Sequence, residues 1–123
     1  MKLALRTTSF LAAVALTVIG LSACASTATR GVEAQATVHM TEFSYTPQTL
    51  TVPPNAKVKV QNDGKVVHNW VIKGIGVGTA DVQPGASQTL NLAGIPQGTY
   101  AVYCDQPGHS AAGQTGTLVI TGP

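Results

Sequence analysis

The chain has 123 residues, 44% of them hydrophobic and 10% charged, with seven bases, five acids and two cysteines. Lys2 and Arg6 carry the positive excess; from Cys24 onward Arg30, Lys57, Lys59, Lys65 and Lys73 are matched by Glu33, Glu42, Asp63, Asp81 and Asp105. Without a basic tract or a stripe of interleaved aromatics there is no footprint for nucleic acid, and a stretch of about a hundred residues fits one domain with one core.

Lys2 and Arg6 precede an apolar run from Phe10 to Leu21, too short to span a bilayer and laid out as a secretory signal. The run ends in Leu21-Ser22-Ala23-Cys24, which resembles the lipobox of bacterial lipoproteins. That resemblance implies a signal peptide over residues 1–23 and a diacylglyceryl group on Cys24. The mature protein would then be exported and lipid-anchored in the bacterial cell envelope, facing the periplasm or at the cell surface. Cleavage at a neighbouring small residue would instead leave Cys24 an incidental thiol. Residues 24–35, small and polar without periodicity, read as a flexible linker, and residues 36–123 as the folded domain.

From Gln35 the pattern is short alternating runs punctuated by Gly, Pro, Asn and Asp, which predicts an all-β sandwich or barrel. Thr37 to Thr41 alternates, with Val38 and Met40 facing the core and His39 facing solvent. Phe43 and Tyr45 fall out of phase with that pair, which predicts a bulge near Glu42. Leu50 and Val52 mark the next strand, Lys57 to Val60 another, and Asn62-Asp63-Gly64 a turn. A strand is expected from Val66 to Lys73 and a glycine-rich loop from Gly74 to Gly78. Strands at Thr89–Leu92, Tyr100–Cys104 and Thr117–Ile120 bring the expected number to about seven, with no helix after the signal.

Strand parity places His68, Trp70 and Ile72 on one side of their strand, and Tyr100, Val102 and Cys104 on one side of theirs. If Trp70 and Val102 are core residues, His68 and Cys104 meet at one end of the sandwich. Pro107-Gly108 lets the following loop fold back, so that His109 faces the same point. Two imidazoles and one thiolate with a weak axial group suit copper cycling between Cu(I) and Cu(II). With Cys24 lipidated, Cys104 has no disulfide partner, and metal ligation explains an unpaired thiol in an exported protein.

The pattern Cys104-x-x-Pro107-Gly108-His109-x-x-x-Gly113-Gln114-x-Gly116, with His68-Asn69-Trp70 upstream, resembles the cupredoxins, the small blue-copper proteins of plastocyanin and azurin type. The likeness runs from Gln35 to Thr121 and takes in Glu42 to Pro47, Val82 to Gly85 and Gly98 to Tyr100. It implies a Greek-key β-sandwich of seven to eight strands holding one mononuclear copper ion, with His68, Cys104 and His109 as ligands and Gln114 at the axial position. Most members with this loop carry Met there. The resemblance also implies that Asn69 braces the ligand loop through hydrogen bonds.

Three strong in-plane donors and one weak one leave no open position for substrate, unlike a catalytic metal site. The expected role is therefore electron transfer rather than catalysis. Pro107, Gly108, Ala111 and Ala112 would form a flat surface at the His109 edge for brief encounters with redox protein partners, and the domain is expected to be a monomer. A copper storage or delivery protein is the alternative, but it calls for additional exposed Met or His donors. A nitrite reductase or oxidase would need a second copper site or further domains, and the binuclear copper domain of respiratory oxidases needs two cysteines in the loop.

Overall fold

The computed structural model describes residues 33–122; the expected signal peptide, Cys24 and most of the expected linker lie outside them. Among the described residues there are nine strands: β1 (Ala36–Thr41), β2 (Ser44–Thr46), β3 (Thr49–Val52), β4 (Lys57–Asn62), β5 (Val71–Ile72), β6 (Val77–Gly78), β7 (Ser87–Asn91), β8 (Gly98–Tyr103) and β9 (Thr115–Ile120). They form two mixed sheets, one in the order β2-β1-β4-β7 and the other β3-β9-β8-β5-β6. The fold is an all-β sandwich. Parallel pairs, β1 with β4 and β3 with β9, lie inside otherwise antiparallel sheets.

Alternation decides which side chains meet between the sheets. Val38 and Met40 from β1, Val58 and Val60 from β4, and Leu90 from β7 point inward from the first sheet. Leu50, Val52, Ile72, Val102, Leu118 and Ile120 oppose them from the second, and Trp70 is 1% exposed among them. Each large apolar side chain fully removed from water contributes about 1.5–3 kcal/mol, which fixes the register of every strand with one buried face. His39 is exposed and bonds Asp63, while Met40 is fully buried.

Three expectations about strands need correction. No bulge interrupts the chain at Glu42; β1 and β2 form a hairpin in which Met40 pairs with Tyr45 and Thr41 with Ser44, so Glu42 and Phe43 are its two-residue turn. Tyr45 thereby regains the core face, and Phe43 sits at the tip, 40% exposed. The long strand expected from Val66 shrinks to Val71–Ile72 plus an isolated bridge between His68 and Val82. Its backbone donors are spent elsewhere, that of Val66, like that of Lys65 just before it, on the Glu42 carboxylate and that of Trp70 on Thr79 Oγ1. The supposed glycine loop contains β6, which pairs with β5. At Gly78 a Cβ would meet the Val71 Cα at 2.8 Å, so this close approach requires glycine.

Candidate metal centre

Three segments converge on one end of the sandwich: the β1–β2 turn, the stretch from Asn62 to Asn69 leading into β5, and the loop from Cys104 to Gln114 between β8 and β9. Each is held by polar contacts. Asn62, fully buried at the end of β4, uses its whole amide: Oδ1 accepts from the Gly64 N–H, and Nδ2 donates to the carbonyls of Val66 and Val82. This cross-tie fixes the approach to His68. Sequence reading placed Asn62 only in a turn, because its partner Val82 lies twenty residues away.

The loop after Cys104 closes on itself. Cys104 N–H donates to Gln114 O and Gln114 N–H to His109 O, both at 3.1 Å. His109 N–H donates to Gln106 O, and Gly108, with φ of 80°, makes the left-handed turn that directs the chain back. A residue with a Cβ would be strained in that region. Asn69 joins the loop to the neighbouring strand segment: its Oδ1 accepts from the Asp105 N–H at 2.9 Å, and its Nδ2 donates to the carboxylates of Asp105 and Asp81. Tyr45 donates its hydroxyl proton to the Asn69 carbonyl at 2.6 Å, and burial pushes its own ionisation well above the ordinary range.

Donor atoms of His68, Cys104 and His109 lie within 4.8 Å of one another. His109 Nδ1 is 3.5 Å from the Cys104 sulfur, and the two imidazole rings have centroids 5.0 Å apart. His68, Cys104 and Gln114 have no exposure; His109 is half-buried and is the member that reaches the surface. Around it Pro107, Gly108, Ala111 and Ala112 are all exposed.

Among the described residues two buried side-chain polar atoms have no hydrogen-bond partner, His68 Nδ1 and Gln114 Oε1. Such orphans cost about 1–3 kcal/mol apiece unless something satisfies them. The Gln114 amide orientation follows from its surroundings, since Nε2 donates to Thr41 O at 3.1 Å and Ser44 O at 3.5 Å, leaving the oxygen as the free end. At His68 the other ring nitrogen, Nε2, is 2.9 Å from Glu42 Oε1. The orphaned acceptors, the buried thiol and the second imidazole together are a borderline-soft donor set that fits one mononuclear copper ion.

Besides Asn62, Glu42 and Phe43 belong to this region although sequence reading did not assign them to it. Glu42 Oε1 accepts from His68 Nε2 and from the N–H groups of Lys65 and Val66, and these bonds lower its pKa to about 2. Phe43 sets its ring edge to face with His109 at 4.9 Å and approaches His68 at 6.4 Å. A two-residue turn between Thr41 and Ser44 would have been the signal, since it places both side chains at the pole that the ligand loop occupies.

A sandwich of two mixed sheets with a His–Cys–His cluster at one pole defines a small copper-site β domain. Residues 11–120 match the family model of the cupredoxin-like domain, and the chain belongs to that family. Solved structures with the same fold include an auracyanin from the photosynthetic bacterium Roseiflexus castenholzii, 22% identical over 73% of this chain and all of that one, with a TM-score of 0.63. A purple cupredoxin from Nitrosopumilus maritimus is 19% identical over 70% of this chain and 99% of its own, with a TM-score of 0.58. A copper-containing nitrite reductase from Thermus scotoductus is 18% identical over 72% of this chain but only 22% of its own, with a TM-score of 0.59. At these identities the likeness is one of fold. No curated protein sequence matches the chain.

Proposed function

We propose that this protein is a one-electron carrier of the cell envelope, in which His68, Cys104 and His109 would hold one copper ion and Gln114 Oε1 would serve as a further, weaker donor. The observation that carries this reading is the pair of orphaned buried acceptors, His68 Nδ1 and Gln114 Oε1, beside a buried free thiol and a second imidazole. Copper bound there supplies the Cu(I)/Cu(II) couple. The chain's part is to keep the donors still: Asn62 and Asn69 fix the two ligand-bearing segments, and Thr41 and Ser44 hold the Gln114 amide. Rigid donors need little rearrangement when charge changes. Among the described residues His68, Cys104 and Gln114 are fully buried, and His109 is the member of the cluster that reaches the surface.

Electrons would enter and leave through the exposed edge of His109, across the face formed by Pro107, Gly108, Ala111 and Ala112. A small apolar patch of this kind suits partners that bind briefly. The proposal extends to the N-terminus, where a lipid on Cys24 would tether the domain through the 24–35 linker to the envelope. Cyclic voltammetry of the copper-loaded domain is expected to give a reversible one-electron wave. Bulky or charged residues at Ala111 and Ala112 should slow electron exchange with small redox proteins while leaving the potential unchanged. Irreversible loss of copper on reduction would point to storage instead, and unaltered exchange in the patch variants would rule out the His109 route.

A further inference from the structure

We propose that Glu42 is the positioning residue for His68 and that its charge lowers the reduction potential of the copper centre, an inference that rests on the copper-carrier reading above. The carboxylate does not face the cluster itself. It binds the far side of the His68 ring, with Oε1 2.9 Å from Nε2, 2.7 Å from the Lys65 nitrogen and 3.1 Å from the Val66 nitrogen.

The chemistry of these three contacts determines the tautomer. Two of the partners are backbone N–H groups, which only donate, and an ionised carboxylate only accepts, so the contact to His68 is an Nε2–H donating to oxygen. In the neutral ring that leaves Nδ1 as the lone-pair nitrogen, and Nδ1 is one of the two buried side-chain atoms without a partner among the described residues. One anionic oxygen thus orients the ring and aims its lone pair into the cluster.

The surrounding chain is shaped to admit the carboxylate. A Cβ on Gly64 would collide with Glu42 Oε1, so the turn after Asn62 has glycine where any side chain would push the carboxylate off the ring. Asn62 Oδ1 holds that glycine by its N–H at 2.9 Å, and Lys65 and Val66, the next two residues, supply the two backbone donors. The Glu42 side chain is 28% exposed and the His68 side chain not at all, so the contact joins a charged surface group to a fully buried imidazole.

A carboxylate on the outer nitrogen of a ligating histidine raises the basicity of the inner one. Added electron density at Nδ1 favours the more highly charged ion, Cu(II), over Cu(I). Replacing the carboxylate with a neutral amide of the same shape keeps an acceptor for all three N–H groups and removes only the charge. Changes to such outer partners typically alter metal affinity about 10–100-fold. A tenfold shift in the ratio of Cu(II) to Cu(I) affinity corresponds to about 59 mV for a one-electron couple.

The test is the reduction potential of copper-loaded Glu42→Gln against wild type, together with long-range nitrogen–proton NMR of the His68 ring in the metal-free wild-type protein. The expected results are a potential raised by about 59 mV or more in the variant and a His68 ring protonated at Nε2. An unchanged or lowered potential in a correctly folded, copper-loaded variant overturns the proposal, as does a His68 ring protonated at Nδ1. Should Glu42→Gln fail to fold, the wild-type tautomer decides. A wild-type chain that takes up no copper would fail the carrier reading itself, whereas a copper protein indifferent to Glu42→Gln would fail only this inference.

Discussion

On the proposed reading, Gln114 tunes a site that other residues build. Its nitrogen is tied to the Thr41 and Ser44 carbonyls, so its oxygen has a fixed direction and no protein partner. An amide oxygen is a harder donor than a thioether, and harder donors prefer Cu(II). Gln114→Met is therefore expected to raise the reduction potential, by about 59 mV for each tenfold gain in Cu(I) preference. Voltammetry of the two proteins side by side checks this, and an equal or lower potential in the Met variant would contradict it. At this scale much was legible: strand parity and the loop after Cys104 brought out His68, Cys104 and His109, whose donor atoms lie within 4.8 Å of one another, while the family resemblance added Gln114, which is buried at the end of the same loop. Glu42 was not legible, because its contacts join residues 23 to 26 positions apart and it lies in a hairpin turn where the alternation pattern pointed to a bulge.

At the scale of elements, the β1–β2 hairpin and the segment after β4 are joined largely through polar side chains. Glu42 spans them, and its pKa is about 2 in the fold against an ordinary 4.5. A depressed carboxylate stabilises the folded state fully above its unfolded value, and that contribution is lost as the pH falls through the folded value. Thermal melts of the metal-free protein should accordingly decline between about pH 4.5 and 2, and Glu42→Gln should flatten that decline. An equally steep decline in the variant would show that other carboxylates account for it. Strands with strict alternation, such as β1, β4 and β9, were readable because one buried face fixes their period. The stretch from Val66 to Trp70 was not. It has the composition of a strand, yet side chains from distant segments capture several of its backbone groups, and only Val71 and Ile72 remain for a ladder.

Across the whole molecule, the sandwich is a frame that brings three remote segments to one pole. The core of Val38, Met40, Val60, Trp70, Val102 and Leu118 sets the strand ends, and the ligand-bearing residues continue the inward faces of β5 and β8 past those ends. The fold class could be inferred from alternation and turn residues alone, while pairing order could not, since parallel contacts such as β3 with β9 join segments more than sixty residues apart. Because the donors come together only in the folded chain, copper binding stabilises the native state by mass action. The central claim is that these donors close on one cupric ion. Titrating the metal-free protein with Cu(II) while recording visible absorption tests it most directly. The account predicts an intense sulfur-to-copper band that saturates at about one equivalent, that protects Cys104 from thiol reagents and that is missing in Cys104→Ser. A wild-type protein that stays colourless with Cys104 still reactive, or a Cys104→Ser variant that keeps the band, would contradict it.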